Sequence, residues 1–177
     1  DLQEPYRRQR QMCIRDRIKA DWEGYDGEGW STEPMMKAEV SLYNLYGNPA
    51  SGHELKASYK ITPADFVFKK YKGYLFRDPL RNEDKALRSY SDALPEQRTD
   101  NAGAGAFVLK LSEFEQGTYN LRLSIDGLEQ GSGRGVSISL GALVSPNKYL
   151  IGWKADGNLA YIDKNAVRHI QFIAVDN

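Results

Sequence analysis

The chain has 177 residues, 24 basic and 24 acidic side chains and a formal net charge of zero, which suits one ordinary domain plus part of another and points to no nucleic-acid partner. A single cysteine, Cys13, excludes an intramolecular disulfide and a multi-cysteine metal site, while 11 Tyr, 6 Phe and 3 Trp supply the bulk for a hydrophobic core. The longest apolar stretches, such as 149–153, fall far short of the roughly 20 residues that span a bilayer, so no direct membrane insertion is expected, and the opening residues show no secretory h-region or cleavage site.

Residues 1–17, DLQEPYRRQRQMCIRDR, carry five Arg and the one Cys, without strand alternation or a helical stripe. Clustered Arg suits a basic arm for nucleic acid or anionic lipid, and a disordered leader has the same look. The run RRQRQMCIRDR also resembles translated sequencing-adapter read-through. That is the favoured reading, so residues 1–17 are expected to be a non-native or disordered leader outside the fold.

From residue 36 the pattern becomes that of half-buried strands: Met36, Ala38, Val40 and Leu42 alternate with polar or less apolar neighbours. The run NLYGNPASG interrupts the alternation, because Pro cannot donate to a ladder and Gly readily takes positive φ. Alternation resumes at Leu55, Ala57, Tyr59 and Ile61, giving strand, loop, strand. The same grammar returns at Phe107, Leu109 and Leu111, at Tyr119, Leu121, Leu123 and Ile125, and at Val136, Ile138 and Leu140. The loops TDNAGAG, EQG and EQGSGRG separate these runs. Many short strands at this spacing predict an all-β chain, an antiparallel sandwich or barrel.

Residues 64–95 are the least regular part, and NEDKALRSYSDAL within them has room for a short helical turn. A connection of this length either packs on its own account or carries function. Phe66, Phe68, Tyr71, Tyr74 and Phe76 would serve as a stacking platform for a sugar or for bases if exposed. They would seal one end of the sandwich if buried, which is the favoured alternative. Beyond Leu140, Pro146 and Asn147 mark a hinge-like turn, and Tyr149, Ile151 and Trp153 restart an alternation. About 36 residues remain, fewer than the roughly 40 that support a core unaided, so a second unit is expected to start here and to be cut. Large aromatics anchor interfaces best, and Tyr149 and Trp153 are therefore expected to pack at the domain boundary.

NLYGNPASG, RDPL and LVSPNKYLIGWKADGNLAYI are the most specific pieces of a resemblance covering residues 18–177: the chain resembles the macroglobulin-like domains of the large bacterial alpha-2-macroglobulins. The resemblance implies a fibronectin-like antiparallel β-sandwich over 18–141 and the first strands of a second, truncated macroglobulin-like domain over 142–177. The sequence does not fix the number of the domain within the parent; the fifth, with the start of the sixth, is the working expectation. Family members look like strings of such sandwiches, exported to the periplasm and often lipid-anchored, that trap proteases after cleavage of a bait segment. The implied partners are neighbouring domains of the same parent and the proteases that the full-length protein traps. The first hairpin-like stretch is then a corner of a scaffold.

Chemistry of other kinds has little support. A thioester needs a Cys a few residues before a Gln, and neither Gln116 nor Gln130 has one nearby. His53 and His169 with scattered acids define no triad and no metal cluster. GSGRG leads into a strand-like VSISL where a phosphate loop would need a helix, and DNAGAG lacks the alternating oxygens of a calcium loop. No enzyme, cofactor or metal is expected. The alternative to the scaffold is a stand-alone carbohydrate-binding or adhesin-type sandwich using the aromatics of residues 66–76, and the two readings differ in whether those rings are exposed and coplanar or buried.

Overall fold

Strict alternation of buried and open side chains builds each of the main strands. In a computed structural model, which describes residues 17–76, 88–129, 135–159 and 163–177, the strands in chain order are β1 (Arg17–Trp22), β2 (Met35–Tyr43), β3 (Glu54–Pro63), β4 (Leu75–Phe76) and β5 (Tyr90–Arg98). They continue with β6 (Ala104–Lys110), β7 (Tyr119–Leu128), β8 (Gly135–Val144), β9 (Tyr149–Ala155) and β10 (Ile170–Asp176). All ladders between them are antiparallel.

A three-stranded sheet, β1-β2-β6, faces a four-stranded one, β5-β3-β7-β8. Between them lie Met36, Ala38 and Val40 of β2, Phe107 and Leu109 of β6, Leu55, Ala57 and Ile61 of β3, and Tyr119, Leu121, Leu123 and Ile125 of β7. Ala38, Leu55, Leu121 and Ile125 are wholly excluded from water. This is the all-β antiparallel sandwich that the alternation predicts. The strands flanking NLYGNPASG do not pair with each other: β2 pairs with β1 and β6, β3 with β5 and β7, so the loop carries the chain from one sheet to the other. Trp22 ties one open side together, its indole Nε1 donating to the Gly141 carbonyl of β8 at 3.1 Å.

Two local expectations need correction. Within NEDKALRSYSDAL, residues 82–87 lie outside the described residues, but Tyr90–Arg98 is the edge strand β5. Pro95 is accommodated there because the register shifts opposite Leu55 and Ala57, at the edge of the sheet, where a missing N–H breaks little. Leu111, read as the last apolar residue of a strand, opens a 3₁₀ turn, Leu111–Glu113, in which Leu111 N–H and Ser112 N–H both donate to the Pro34 carbonyl. The leader lies outside the described residues up to 16, and Arg17 already belongs to β1.

The third sheet, β10-β9-β4, follows the turn at Pro146 and Asn147. Strand β8 runs on through 141 to Val144 before that turn. Strand β4 comes from the irregular segment after β3, so the sandwich lends a strand to the sheet that follows it.

Candidate functional site

The segment 64–76 is pinned at its start to the sandwich: Ala64 N–H donates to the Thr118 carbonyl at 3.0 Å and Thr118 Oγ1 donates to the Ala64 carbonyl at 2.7 Å. Phe66 and Phe76 then exchange two backbone hydrogen bonds, at 2.8 and 3.1 Å. Between them the chain makes a 3₁₀ turn, Lys69–Tyr71, and reverses at Gly73, whose φ of 87° suits glycine. The reversal presents Leu75 to Trp153 and Phe76 to Gly152 across the ladder with β9.

The five aromatics form a packed cluster and no flat platform. Phe66 and Phe76 are each 1% exposed, and Phe68, Tyr71 and Tyr74 are half-buried against them. The Phe68 ring lies 5.0 Å from Phe76 at 69° and 6.0 Å from Phe66 at 76°, the edge-to-face geometry of buried rings. Tyr74 also reaches β10, its hydroxyl donating to Gln171 Oε1 at 3.0 Å.

Trp30, in the loop between β1 and β2, closes the cluster. It is 2% exposed, its ring centroid lies 5.7 Å from Phe68, and its Nε1 donates to the Asn147 carbonyl at 2.8 Å. Its backbone N–H donates to Asn177 Oδ1 at 3.2 Å. The same loop is tied to the end of β8, where Ser31 N–H donates to Leu143 O and Ser145 N–H to Ser31 O. Tyr25 braces it by donating to Gly29 O and accepting from Leu143 N–H. Burial raises the Tyr25 phenol pKa, the Leu143 N–H offsets part of this, and the Asp26 charge adds to it.

Strands β9 and β10 supply the other wall through Leu150 and Val175, each 6% exposed, and Ile173. Gly152 matters because the Phe76 ring rests on it: a Cβ there would lie 2.6 Å from Phe76 Cε1. Tyr149 and Trp153 stand on the opposite face of β9. Tyr149 is 61% exposed, with the Lys148 amine over its ring, and Trp153 is half-buried beside Leu75 and Phe172 in the ladder. The residues that join sandwich and third sheet thus include Trp30, Leu150, Gly152 and Asn177, with Trp153 meeting Leu75 of β4 from the other face. The sequence signals for them are the glycine inside the apolar run YLIGW, which marks a close approach, and the lone Trp in the glycine-rich stretch before β2.

The two histidines lie in different loops. His53 N–H donates to Thr99 Oγ1 in the loop after β2, and His169 N–H donates to Asp156 Oδ2 just before β10. Among the described residues no group of three His, Cys, Asp or Glu could hold a metal ion, and no helix is long and apolar enough to cross a membrane. What the arrangement can do is hold the third sheet against the sandwich.

The family described as the bacterial alpha-2-macroglobulin MG5 domain matches residues 16–146. Alpha-2-macroglobulin of Rickettsia conorii is 33% identical over 163 residues, 92% of this chain and 8% of that protein. An alpha-2-macroglobulin homolog of Yersinia pestis is 35% identical over 149 residues, 84% of this chain and 7% of its own length. Among solved structures, the native conformation of Escherichia coli alpha-2-macroglobulin superposes with a TM-score of 0.65 at 18% identity, covering 92% of this chain and 11% of that one. The elastase-activated form of the Escherichia coli protein gives 0.63 at 20% identity, covering 90% and 14%. These two likenesses speak to the fold; the chain spans less than a tenth of the length of the relatives it matches.

Proposed function

The chain belongs to the bacterial alpha-2-macroglobulin family, and from that premise we propose that it is a structural and interaction unit of a longer protease-trapping parent, without bait segment, thioester or catalysis of its own. In this reading residues 18–141 are one macroglobulin-like domain and residues 142–177 begin the next. The parent works in the periplasm, in some cases lipid-anchored, and its partners are its own neighbouring domains and the proteases it traps. One observation carries the scaffold role: the aromatic segment 64–76 is buried across the junction with β9 and β10, whereas a carbohydrate-binding sandwich would need those rings open and coplanar.

The third sheet fits the same reading. Its one face is covered by the aromatic cluster, while the other shows Leu75, Tyr149, Ile151, Ile170 and Phe172, between 42% and 68% exposed, around Trp153. A sheet apolar on both faces needs cover on both, and further strands of the parent are the cover proposed. The test is to express the full-length parent, add trypsin, and ask whether the complex still cleaves a small chromogenic substrate while sparing casein. A parent that leaves casein cleavage unchanged sinks the trapping role. A glycan array that lights up with the 177-residue chain, and fails to do so after Phe68→Ala, would replace the scaffold with the binding module.

A further inference from the structure

The outer face of the four-stranded sheet holds two cations that form no ion pair among the described residues. Lys60 of β3 and Arg122 of β7 are directly paired across the ladder, so their exposed side chains leave the sheet on the same face. Like charges placed opposite each other destabilise a strand pair, and neither residue makes an ion pair with any described residue. Seven of the ten other described lysines have a carboxylate or ring partner, and the three that do not, Lys69, Lys72 and Lys164, lie off this sheet. Lys37 lies between Glu23 and Glu39, Lys56 lies between Glu54 and Glu96, and Lys110 is near Glu113. Lys19, Lys70, Lys148 and Lys154 lie over tyrosine rings.

The surroundings of the pair are small. Ser58, Ser124 and Ser139 form one row beside it, with Ser124 and Ser139 hydroxyls 3.2 Å apart. Ser91 stands opposite Lys60 and Gly141 opposite Arg122, and a Cβ on Gly141 would meet nothing within 4 Å. Two shallow grooves result, one on each side, and Lys60 and Arg122 line both. Asp92, at the margin of one groove, has its Oδ1 engaged by the Ala93 N–H at 2.8 Å. A face with two cations that pair with no described carboxylate, set among hydroxyls with Asp92 only at its margin and no bulky side chain over Gly141, is complementary to an extended segment bearing carboxylates.

We infer that this face docks an acidic segment of polypeptide from elsewhere in the parent chain. The inference rests on reading the chain as one unit of a longer protein. The relatives run to more than ten times its length, and a segment in the same chain has an effective concentration that a free partner lacks.

The experiment is zero-length crosslinking of the full-length parent with a water-soluble carbodiimide, which joins only a touching amine and carboxylate, followed by peptide mass spectrometry. Lys60 is expected to be joined to an Asp or Glu of the parent outside residues 17–177, with a several-fold lower yield in 0.5 M salt and in the R122E variant. Lys56, joined to Glu54 or Glu96 in every sample, reports that the reagent worked and the sheet is folded. If Lys56 is joined locally and Lys60 to nothing beyond its own sheet, the inference is overturned. It is equally overturned if Lys60 is joined only to a second copy, detected by mixing light and heavy isotope preparations, or if R122E leaves the yield unchanged. Protease trapping is scored separately on the same preparation, so loss of one reading is visible without loss of the other.

Discussion

Replacing Gly152 by Ala tests the junction with a single methyl group. The added Cβ would stand 2.6 to 3.0 Å from three carbons of the Phe76 ring, and ordinary carbon contacts begin near 3.5 Å, so the ring has to retreat by roughly 1 Å. It has little room, being 1% exposed and bounded by Phe68 at 5.0 Å and Tyr71 at 5.9 Å. Overpacking of a filled site costs about 1–3 kcal/mol, and that is the loss expected for G152A in urea unfolding followed by tryptophan fluorescence. Phe76→Leu alone costs about 1–2 kcal/mol through lost contacts. The double variant should be less destabilised than the sum of the two by at least about 1 kcal/mol, because the shorter side chain vacates the space the methyl needs. Additivity within about 0.5 kcal/mol would show that the ring does not rest on Gly152, and the strand lent by the sandwich would lose its role as a clasp.

Three further outcomes follow from the same physical chemistry. Thr99→Val keeps the shape of a buried side chain but removes the hydroxyl that donates to Ala50 O at 2.6 Å and accepts from His53 N–H at 2.9 Å; a loss of about 1–3 kcal/mol is expected in the same unfolding assay, and a neutral result would mean that water replaces both bonds. Gly103→Ala meets φ of 71° and a Leu42 carbonyl oxygen 2.5 Å from the new Cβ, so the thermal midpoint should fall by several degrees, corresponding to about 1–3 kcal/mol, and an unchanged midpoint would refute the strain. Stability should decline above about pH 10, because burial first, and then the charges of Asp26 for Tyr25 and of Asp92 and Glu113 for Tyr59, raise both phenols. Between the unfolded and folded pKa the unfolded chain has lost a proton that the folded chain keeps, so stability is full below the unfolded value and falls as pH rises through the folded one. Lys37 and Lys56, also raised by their carboxylate partners, act with the same sign, but they are exposed and screened by salt. Urea midpoints between pH 8 and 11 check this, with Tyr25→Phe flattening the decline; a rise in that range would contradict the sign.

How far the sequence carries the argument depends on whether a strand has one apolar face or two. Strand β2 and strand β7 have one, so Met36 to Leu42 and Tyr119 to Ile125 are read correctly as core by period alone. Strand β5 has almost none: YSDALPEQR is an exposed edge with a proline at its register shift, and nothing in its polarity separates it from a loop or a helical turn. Strand β9 fails in the opposite way. In YLIGW the large residues Tyr149, Ile151 and Trp153 occupy one face and Leu150 and Gly152 the other, and period 2 identifies the strand without saying which face meets the sandwich. Size does not rank the faces, because the residue that permits the closest approach is the smallest one. Gly152 has no side chain, and that lets Phe76 lie against the backbone and lets β4 join the sheet. The aromatics of segment 64–76 are legible as a group, but their partner, Trp30, lies more than thirty residues upstream in a loop without periodicity. A contact between two irregular segments leaves no pattern in either; it becomes visible only when β8 has brought the turn at Asn147 under the indole. Fewer buried residues hold the third sheet than hold the sandwich, so it should lose its protection from hydrogen exchange before β2 and β7 lose theirs.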